Sequence, residues 1–368
     1  MLKRRQSRQI KVGNVFIGGG APVSVQSMNT TDTRDIEASL TQIRELATNG
    51  CEIIRLAVPD MEAAVALESI VDSSPIPVIA DIHFDYKLAL QSIKSKVHGI
   101  RINPGNIGSD ERIRKVAEAA GEAGIPIRVG SNSGSISPKL LDELRKNNPD
   151  DDNIIAEALV VSALEQCRKL EQFGFSQIKV SLKASDVPLT LEACKRFANE
   201  TDYPLHLGVT EAGTPGRGII KSAVGIGALL LDGIGDTIRV SLTADPVQEV
   251  IAGIRILEAC GLRSAEPEIV SCPTCGRTEI ELIPLAERVD ALISSVKAEG
   301  KTIKLKKIAV MGCVVNGPGE AKDADLGIAG AGKGRVAVFK KAKVIGTYSQ
   351  EDGFQILRDE IEKNSIKK

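Results

Sequence analysis

The sequence predicts an α/β protein, a (β/α)8 TIM barrel followed by a smaller α+β iron-sulfur domain. Short β-branched runs followed by amphipathic helical stretches recur between residues 22 and 261, and about eight such units over ~240 residues suit a TIM barrel. Aromatic residues make up only 3% of the chain and Trp is absent, which favours an interior of Val, Ile, Leu and Ala, as in parallel strands covered by helices. A doubly wound open sheet has the same periodicity and stays open as the alternative.

The first predicted element is a β-hairpin in "IKVGNVFIGGGAPVSV" (10–25). Its glycines suit turns. It precedes the first repeated unit, so we expect it to plug the bottom of the barrel.

Eight predicted strands follow, and each ends in polar residues. They are "PVSVQSM" (22–28), "EIIRLAV" (52–58), "PVIADIHF" (77–84), "HGIRINPGN" (98–106), "PIRVGSNSG" (126–134), "QIKVSLKAS" (177–185), "PLHLGVTEAG" (204–213) and "TIRVSL" (237–242). Helical stretches separate them, for example at 110–124, 187–201 and 246–261, with Asp, Ser or Thr near several starts and Gly near several ends.

The pattern changes after Cys260, which predicts a domain boundary. We expect a barrel domain at 1–265 that binds the substrate and a cluster domain at 266–368. In the second domain the sequence predicts a helix, a strand at 307–312, a hairpin at 335–349 and a final helix at 350–363. The segment "GIAGAGKG" (327–334) resembles the start of a phosphate-binding P-loop, but Gly334 replaces the required Ser or Thr and a strand follows. We interpret it as a turn.

The charge and the apolar pattern exclude several classes of protein. The 47 basic and 48 acidic residues give a net charge of −1, which does not indicate nucleic-acid binding. There is no apolar stretch of the ~18 residues that a membrane span requires, and the basic N-terminus lacks the apolar region of a signal peptide. We therefore expect a cytoplasmic protein, in which the seven cysteines are free thiols, metal ligands or redox groups.

Three cysteines form the strongest candidate for a metal site. Cys272 and Cys275 stand in "SCPTCGR", and Cys313 stands alone in "MGCVVNGPGE". A redox dithiol and a structural zinc site are alternatives, but the first favours a strand-to-helix junction in a βαβ unit and the second usually has another close cysteine pair. Two close thiolates and a distant one are typical of a [4Fe–4S] cluster.

The residues alone leave the fourth ligand open between Cys260 and Glu320. Cys260 lies in a helical stretch and suits packing, as do Cys51, Cys167 and Cys194. Glu320 follows Cys313 across a glycine-rich turn. Because an oxygen ligand binds cluster iron weakly, a carboxylate would leave one iron exchangeable and able to act as a Lewis acid.

The predicted strand ends carry a second set of candidate residues, rich in cations. A ring of Arg and Lys suits a compact, highly charged ligand such as a phosphate or diphosphate. The set comprises Arg55, Asp81, His83, Arg101, Asn103, Arg128, Asn132, Lys183, His206, Glu211, Arg239 and Ser241. His98 starts a strand pattern, and we expect it to be structural.

Six motifs together give the chain a resemblance to a known family. In order they are "VSVQSMNTTDT", "ADIHF", "RINPGN", "GVTEAG", "SCPTCGR" and "MGCVVNGPGE". The chain resembles, over nearly its whole length, the bacterial two-domain 4-hydroxy-3-methylbut-2-enyl diphosphate synthases of the methylerythritol phosphate route to isoprenoids. The resemblance implies reductive ring opening and dehydration of 2-C-methyl-D-erythritol 2,4-cyclodiphosphate. Two electrons from flavodoxin or ferredoxin would pass through a [4Fe–4S] cluster.

The resemblance also implies roles for individual residues. It assigns the cluster to Cys272, Cys275, Cys313 and Glu320, proton transfer to Glu211, and a place near the substrate to Asn316. The diphosphate-binding set it implies is Arg55, Arg101, Asn103, Arg128, Asn132, Lys183, Arg239 and Ser241. It further implies a homodimer in which the cluster domain of one subunit closes over the barrel of the other.

Two other functions fit parts of the pattern. One is a barrel aldolase or synthase with Lys183 as a Schiff-base amine and zinc in the second domain. The other is a phosphate-ligand or iron-sensing protein that holds a cluster without turnover.

Overall fold

The chain divides into two compact units, Met1–Arg263 and Ser264–Lys368. The computed structural model describes residues 3–147, 153–264, 267–313, 321, 323–341 and 343–367. Each unit has its own hydrophobic core.

Eight parallel strands build the first unit. They are β3 (Ser24–Met28), β4 (Ile53–Ala57), β5 (Val78–Asp81), β6 (Gly99–Ile102), β7 (Ile127–Asn132), β8 (Ile178–Lys183), β9 (His206–Leu207) and β10 (Thr237–Ile238). Their order is β8-β7-β6-β5-β4-β3-β10-β9. One parallel bridge, Val180 to Leu205, joins the two ends of this order. The predicted barrel is confirmed, and an open doubly wound sheet is excluded because its two edges would stay apart.

Helices cover the outside of the barrel. They are α1 (Ile36–Thr48), α2 (Met61–Ser73), α3 (Tyr86–Lys94), α4 (Pro104–Ile107), α5 (Asp110–Glu122), α6 (Pro138–Asn147), α7 (Ile154–Glu171), α8 (Val187–Glu200), α9 (Pro215–Leu231) and α10 (Pro246–Ala259). Several begin at an aspartate whose side chain accepts a backbone N–H of the first turn, for example Asp60 from Ala63 and Asp186 from Leu189. Within the described part of the chain, no helix is long and apolar enough to cross a membrane.

The apolar core of this unit lies between the strands and the helices. Residues of alternating sequence position, such as Ile54 and Leu56 of β4 or Val180 and Leu182 of β8, pack outward against the helices. Because strand side chains alternate between faces, the intervening residues point into the barrel. Many of these are polar or charged, whereas bulky branched residues usually fill such an interior.

The predicted hairpin closes the bottom of the barrel. β1 (Ile10–Val12) and β2 (Val15–Ile17) pair antiparallel. Their buried side chains pack against Ile53 and Ile79, near the starts of β4 and β5. Gly13, in the turn, has a φ of 57°, and a Cβ there would lie 2.8 Å from Pro77. The expected plug is therefore present.

The basic N-terminal segment is tied to the same end of the barrel. Arg4 donates to the carbonyl of Gly235 and to the buried carboxylate of Asp236 at 3.0 and 3.1 Å. Ser7 donates to Asp236 at 2.9 Å, and Arg5 donates to the carbonyl of Thr201 at 2.6 Å. These basic residues therefore serve intramolecular contacts around β9 and β10.

The second unit is an α+β domain built on a five-stranded mixed sheet. The described strands of the whole unit are β11 (Glu268–Ser271), β12 (Lys301–Ile303), β13 (Lys307–Met311), β14 (Leu326–Gly330), β15 (Arg335–Lys340), β16 (Lys343–Ser349) and β17 (Ser365–Lys367). The sheet order is β11-β13-β14-β15-β16, and β12 pairs separately with β17. The helices α11 (Leu282–Ala298) and α12 (Gln350–Lys363) share one apolar core with the sheet.

The predicted strand at 307–312, the hairpin at 335–349 and the helix at 350–363 are confirmed. The segment 327–334 is only partly a turn, because Leu326–Gly330 forms a central strand. The segment is not a P-loop, because a strand, and not a helix, follows at Arg335.

Candidate functional site

Cations from several strands meet inside the upper barrel. Arg55 lies in β4, Arg101 in β6 and Arg128 in β7, while Lys183 ends β8 and Arg239 follows β10. Parallel strands present their carboxyl ends at one mouth, where TIM barrels place their sites. Arg128 departs from the expectation of a strand-end position, because it is the second residue of β7 and reaches the site from within the barrel.

A single buried carboxylate organises part of this cluster. Asp81 ends β5, and one of its oxygens accepts a hydrogen bond from Arg101 at 3.2 Å. The other lies 3.5 Å from Arg55 Nε and 3.6 Å from His83 Nε2. Burial alone would raise the pKa of Asp81, but Arg55, a hydrogen bond from His83, and Arg101 hold it well below its usual range.

A second carboxylate holds Arg239. Glu249 of α10 is buried and accepts from Arg239 Nη2 at 3.2 Å and from the backbone N–H of Leu242 at 2.8 Å. The sulfur of Met28 lies between two arginines, 2.9 Å from Arg55 Nη2 and 3.8 Å from Arg239 Nη1.

The two carboxylates leave much of the cationic surface unpaired. Among the described residues, Nε of Arg55, Arg101 and Arg239 and both Nε and Nη1 of Arg128 are buried without a hydrogen-bond partner. Burial and the neighbouring cations lower the pKa of Arg55 to about 10 and that of Arg128 well below its usual value. Buried donors are nearly always satisfied in folded proteins, so this arrangement indicates a site for an anion.

Lys183 and His206 complete the interior wall on β8 and β9. Lys183 is buried, and burial together with Arg128 lowers its pKa well below that of a free lysine. A Cβ at Gly208 would lie 2.6 Å from Lys183 Nζ, so glycine there allows the amine to cross the strand. His206 Nδ1 bonds Thr237 Oγ1 at 2.7 Å, and burial and Lys183 lower the pKa of its ring.

The remaining predicted residues lie around the mouth. His83 is more than half exposed beside Arg101. Asn103, Asn132 and Ser241 are half-buried near the ends of β6, β7 and β10. Glu211 is exposed in the loop after β9 with a φ of 53°, a left-handed conformation that is strained for glutamate.

The cysteines of the second unit approach one another at a sheet edge. β11 and β13 are parallel neighbours with Ser271 opposite Val310, so Cys272 and Cys313 leave the sheet at the same end. The backbone N–H of Gly312 donates to Cys272 Sγ at 3.1 Å. The loop after Cys275 folds back on the same glycine, since Glu279 N–H donates to the Gly312 carbonyl at 3.1 Å.

The Cys275 thiol lies in a setting that favours its thiolate. Hydrogen bonds from Arg277, helped by Thr278, lower the pKa of this exposed group. Thr278 also fixes the turn, accepting from Cys275 N–H at 3.0 Å. Within the described ranges, no three His, Cys, Asp or Glu side chains are arranged to hold a metal ion. Asn316 and Glu320 lie outside those ranges.

The other four cysteines lie in the apolar core of the barrel unit, in agreement with the packing role expected for them. Cys260 caps α10 with its sulfur 3.9 Å from the Gly227 carbonyl. Burial raises the pKa of Cys260, which disfavours the thiolate that a metal ligand requires. His98 accepts from Val78 N–H at 3.0 Å, which confirms its structural role.

Three residues of the barrel interior were missed by the sequence reasoning: Lys179, Glu249 and Met28. Lys179 lies two pleats before Lys183 on the same inward face of β8 and is fully buried. Lys179 could have been predicted from the sequence, because a residue four positions before the predicted Lys183 lies on the same face of the strand. For Glu249, in the first turn of α10, no local signal existed.

A closed parallel barrel is lined with arginines that keep unsatisfied donors, and two cysteines of the α+β domain leave its sheet at the same end. These features define a two-domain barrel protein suited to an anionic small molecule and to thiolate chemistry. Comparison with known proteins specifies the family. The chain belongs to the GcpE family: the GcpE TIM-barrel domain matches residues 7–254 and the GcpE protein C-terminal domain matches residues 268–363.

Relatives share this similarity over their full length. The chain is 52% identical over 351 residues to "4-hydroxy-3-methylbut-2-en-1-yl diphosphate synthase (flavodoxin)" of Clostridium perfringens, covering 95% of this chain and 97% of that protein. A protein of the same name from Caldanaerobacter subterraneus is 53% identical over 99% of both chains. Among solved structures, Yersinia pestis dihydropteroate synthase has a TM-score of 0.50 at 12% identity and covers 69% of this chain and 99% of its own, a likeness of fold alone.

Proposed function

We propose that this protein is the redox enzyme that converts 2-C-methyl-D-erythritol 2,4-cyclodiphosphate into 4-hydroxy-3-methylbut-2-enyl diphosphate. The cluster of arginines with unsatisfied donors inside the barrel carries the proposal, together with similarity over nearly the full length to enzymes of that name. The cyclic dianion takes up two electrons and one proton, a ring C–O bond and the C–O bond of the leaving hydroxyl break, and the linear diphosphate trianion and water are formed.

The barrel residues bind and orient the diphosphate. Arg55, Arg101, Arg128 and Arg239 each keep at least one buried guanidinium N–H group without a hydrogen-bond partner among the described residues, and a guanidinium matches phosphate oxygens in geometry as well as charge. Asn103, Asn132, Lys183 and Ser241 extend the same site. Asp81 and His83 hold Arg101 in place, so their role is to set the direction of its donors.

Glu211 is the proposed proton donor for the water that leaves. Its side chain is exposed at the barrel mouth, and its backbone is held in a left-handed conformation. Strain of this kind is retained where the surrounding structure fixes a side chain for function.

The second unit is proposed to hold a [4Fe–4S] cluster on Cys272, Cys275, Cys313 and Glu320. The donor set fits such a group, because Cys272 and Cys313 leave the sheet at the same end, a backbone N–H points at Cys272 sulfur, and the setting of Cys275 favours its thiolate. Glu320 is preferred to Cys260, whose thiol is buried in the core of the barrel unit. When bound, a cluster of this kind supplies single electrons and a Lewis-acidic iron.

Flavodoxin is the proposed electron donor, as the names of the relatives state for those proteins. We further propose a homodimer. It is supported by exposed apolar side chains along α9, where Ile220, Val224 and Leu231 are 67, 55 and 52% exposed. An apolar helix face of this kind commonly marks a protein interface.

The test is product formation by protein purified without oxygen. Incubated with the cyclodiphosphate and a chemical reductant, the protein is expected to release the linear diphosphate, detected by mass spectrometry, and iron and sulfide analysis is expected to show a four-iron cluster. Arg128→Met should abolish turnover, whereas Arg114→Met, at an exposed arginine paired only with Glu118 on α5, should leave it unchanged. A colourless zinc protein, or intact reduced holoprotein without product, would contradict the proposal.

A further inference from the structure

Lys179 is a buried amine that the proposed mechanism does not use. It is the second residue of β8, is 1% exposed, and points into the barrel like Ser181 and Lys183 of the same strand. Among the described residues its Nζ has no hydrogen-bond partner. A lysine ammonium ion in such a place is unfavourable in free energy, because it loses its hydration without gaining a hydrogen bond to the protein.

The titratable groups around Lys179 come from three other strands and from Asp236, which precedes β10. Arg128 is its direct neighbour on β7, and Arg55 of β4 acts on it from across the interior. His206 of β9 lies close enough for electrostatic repulsion between its protonated ring and Lys179. The hairpin plug beneath the barrel contributes only apolar side chains to its core.

Among the described residues, Asp236, before β10, is the carboxylate that attracts Lys179, and its oxygens are already bonded. One accepts from Arg4 at 3.1 Å and Ser7 at 2.9 Å, and the other accepts from the backbone N–H of Leu205 at 2.9 Å. Burial and the two arginines therefore dominate, and they lower the pKa of Lys179 to about 7.

The charge balance of the site gives this amine a use. Four arginines (Arg55, Arg101, Arg128 and Arg239) face two carboxylates, Asp81 and Glu249, which leaves two positive charges. A cyclic diphosphate dianion matches that surplus. Opening the ring adds a third negative charge, for which the four arginines hold no counterpart and which falls to the buried lysines of β8, Lys183 and Lys179.

We propose that Lys179 is a positioning residue of the anion site that switches its charge. At pH 8 it is mostly a neutral amine while the arginines face no anion, and it takes up a proton from solvent when a diphosphate neutralises them. The ammonium ion then contributes, beside Lys183, to balancing the charge that the diphosphate gains on ring opening. The inference rests on the proposed function in taking a diphosphate as the natural anion and ring opening as the step that adds charge.

Proton uptake on anion binding measures this switch. Inorganic pyrophosphate is titrated into the full chain at pH 8 by calorimetry in buffers of different ionisation enthalpy, which gives the number of protons taken up per anion bound. Lys179→Met is expected to take up close to one proton fewer than the wild type. Lys179→Arg, which is permanently charged, is expected to show the same loss and covers the case in which the methionine variant fails to fold.

Two comparisons decide the outcome. Lys195→Met removes an exposed lysine paired with Asp232 and should keep wild-type proton uptake. Lys183→Met should lose its own share while retaining that of Lys179. Equal uptake by the wild type and both Lys179 variants would overturn the inference, as would failure of the wild type to bind pyrophosphate. Product formation from the cyclodiphosphate is scored separately, so either proposal can fail alone.

Discussion

Replacing Lys179 by methionine should stabilise the free protein, and the gain should shrink as the pH rises. The unfolded chain releases the lysine proton near pH 10.4, whereas the folded protein does so near pH 7, the value to which burial and the flanking arginines lower the pKa. Between these two values the unfolded state binds more protons, so wild-type stability rises with pH. Below pH 7 both states are protonated and the penalty is constant.

The size of the effect follows from that pKa difference. Each pH unit inside the window changes the free energy of unfolding by about 1.4 kcal/mol. From pH 7.5 to pH 9.5 the wild type should therefore gain about 2.5 kcal/mol relative to Lys179→Met, a little less than two full pH units because the folded state is still partly protonated at the lower pH. Lys183 titrates in both proteins, so its contribution cancels in the difference.

Urea unfolding at the two pH values provides the assay. Tyrosine fluorescence is suited to it, because Trp is absent and two of the three tyrosines, Tyr86 and Tyr203, belong to the barrel unit. Lys195→Met is the matched control and should differ from the wild type by the same amount at both pH values. A stability difference between Lys179→Met and the wild type that does not change with pH would refute the reasoning.

Three further predictions concern the sites themselves. Gly208→Ala places a Cβ 2.6 Å from both Lys183 Nζ and the Arg239 carbonyl oxygen. Pyrophosphate affinity measured by calorimetry should therefore fall about tenfold or more, equivalent to roughly 1.4 kcal/mol. Gly216→Ala, with open space around it, should leave affinity unchanged. Glu211→Asn relieves the backbone strain of a glutamate in the left-handed conformation. The free energy of unfolding should rise by about 1 kcal/mol, while turnover is lost. A less stable variant would show that contacts of the glutamate side chain matter more to stability than the backbone strain. Glu320→Ala should lower bound iron and activity, whereas Cys260→Ser should keep both, and the opposite pattern would assign the fourth ligand to Cys260.

Periodicity sufficed to predict the barrel, because each βα unit has a buried strand and an amphipathic helix that the sequence marks locally. The same approach missed β14, whose sequence "LGIAG" is rich in glycine and resembles a turn. The structure supplies the reason: a Cβ at Gly327 would lie 2.2 Å from the Phe339 ring, and one at Gly330 would lie 2.3 Å from the Gly312 carbonyl. Close approach of neighbouring strands, which no local pattern encodes, requires those glycines.

The candidate site was predictable where a polar residue interrupts an apolar strand end, as at Arg101 or Lys183. Lys179 and Glu249 were not found, because lysine and glutamate are rarely buried and their inward direction depends on the closed barrel. The arrangement of Asp81 between two arginines likewise depends on the register of β4, β5 and β6, which the sequence does not specify.

Pairing between β8 and β9 is short: one bridge joins Val180 to Leu205, and Thr210 N–H donates to the Ala184 carbonyl at 3.3 Å beyond the strand ends. Lys183 and His206 stand on opposite sides of this seam, so the width of the site there depends on how β9 is held. On its other side β9 is held by Asp236, which accepts from Leu205 N–H and also from Arg4 and Ser7. The first residues of the chain thus help to hold a strand whose far end lies at the anion site. Any fusion or truncation that disturbs Arg4 or Ser7 should therefore weaken anion binding without changing a residue that contacts the anion.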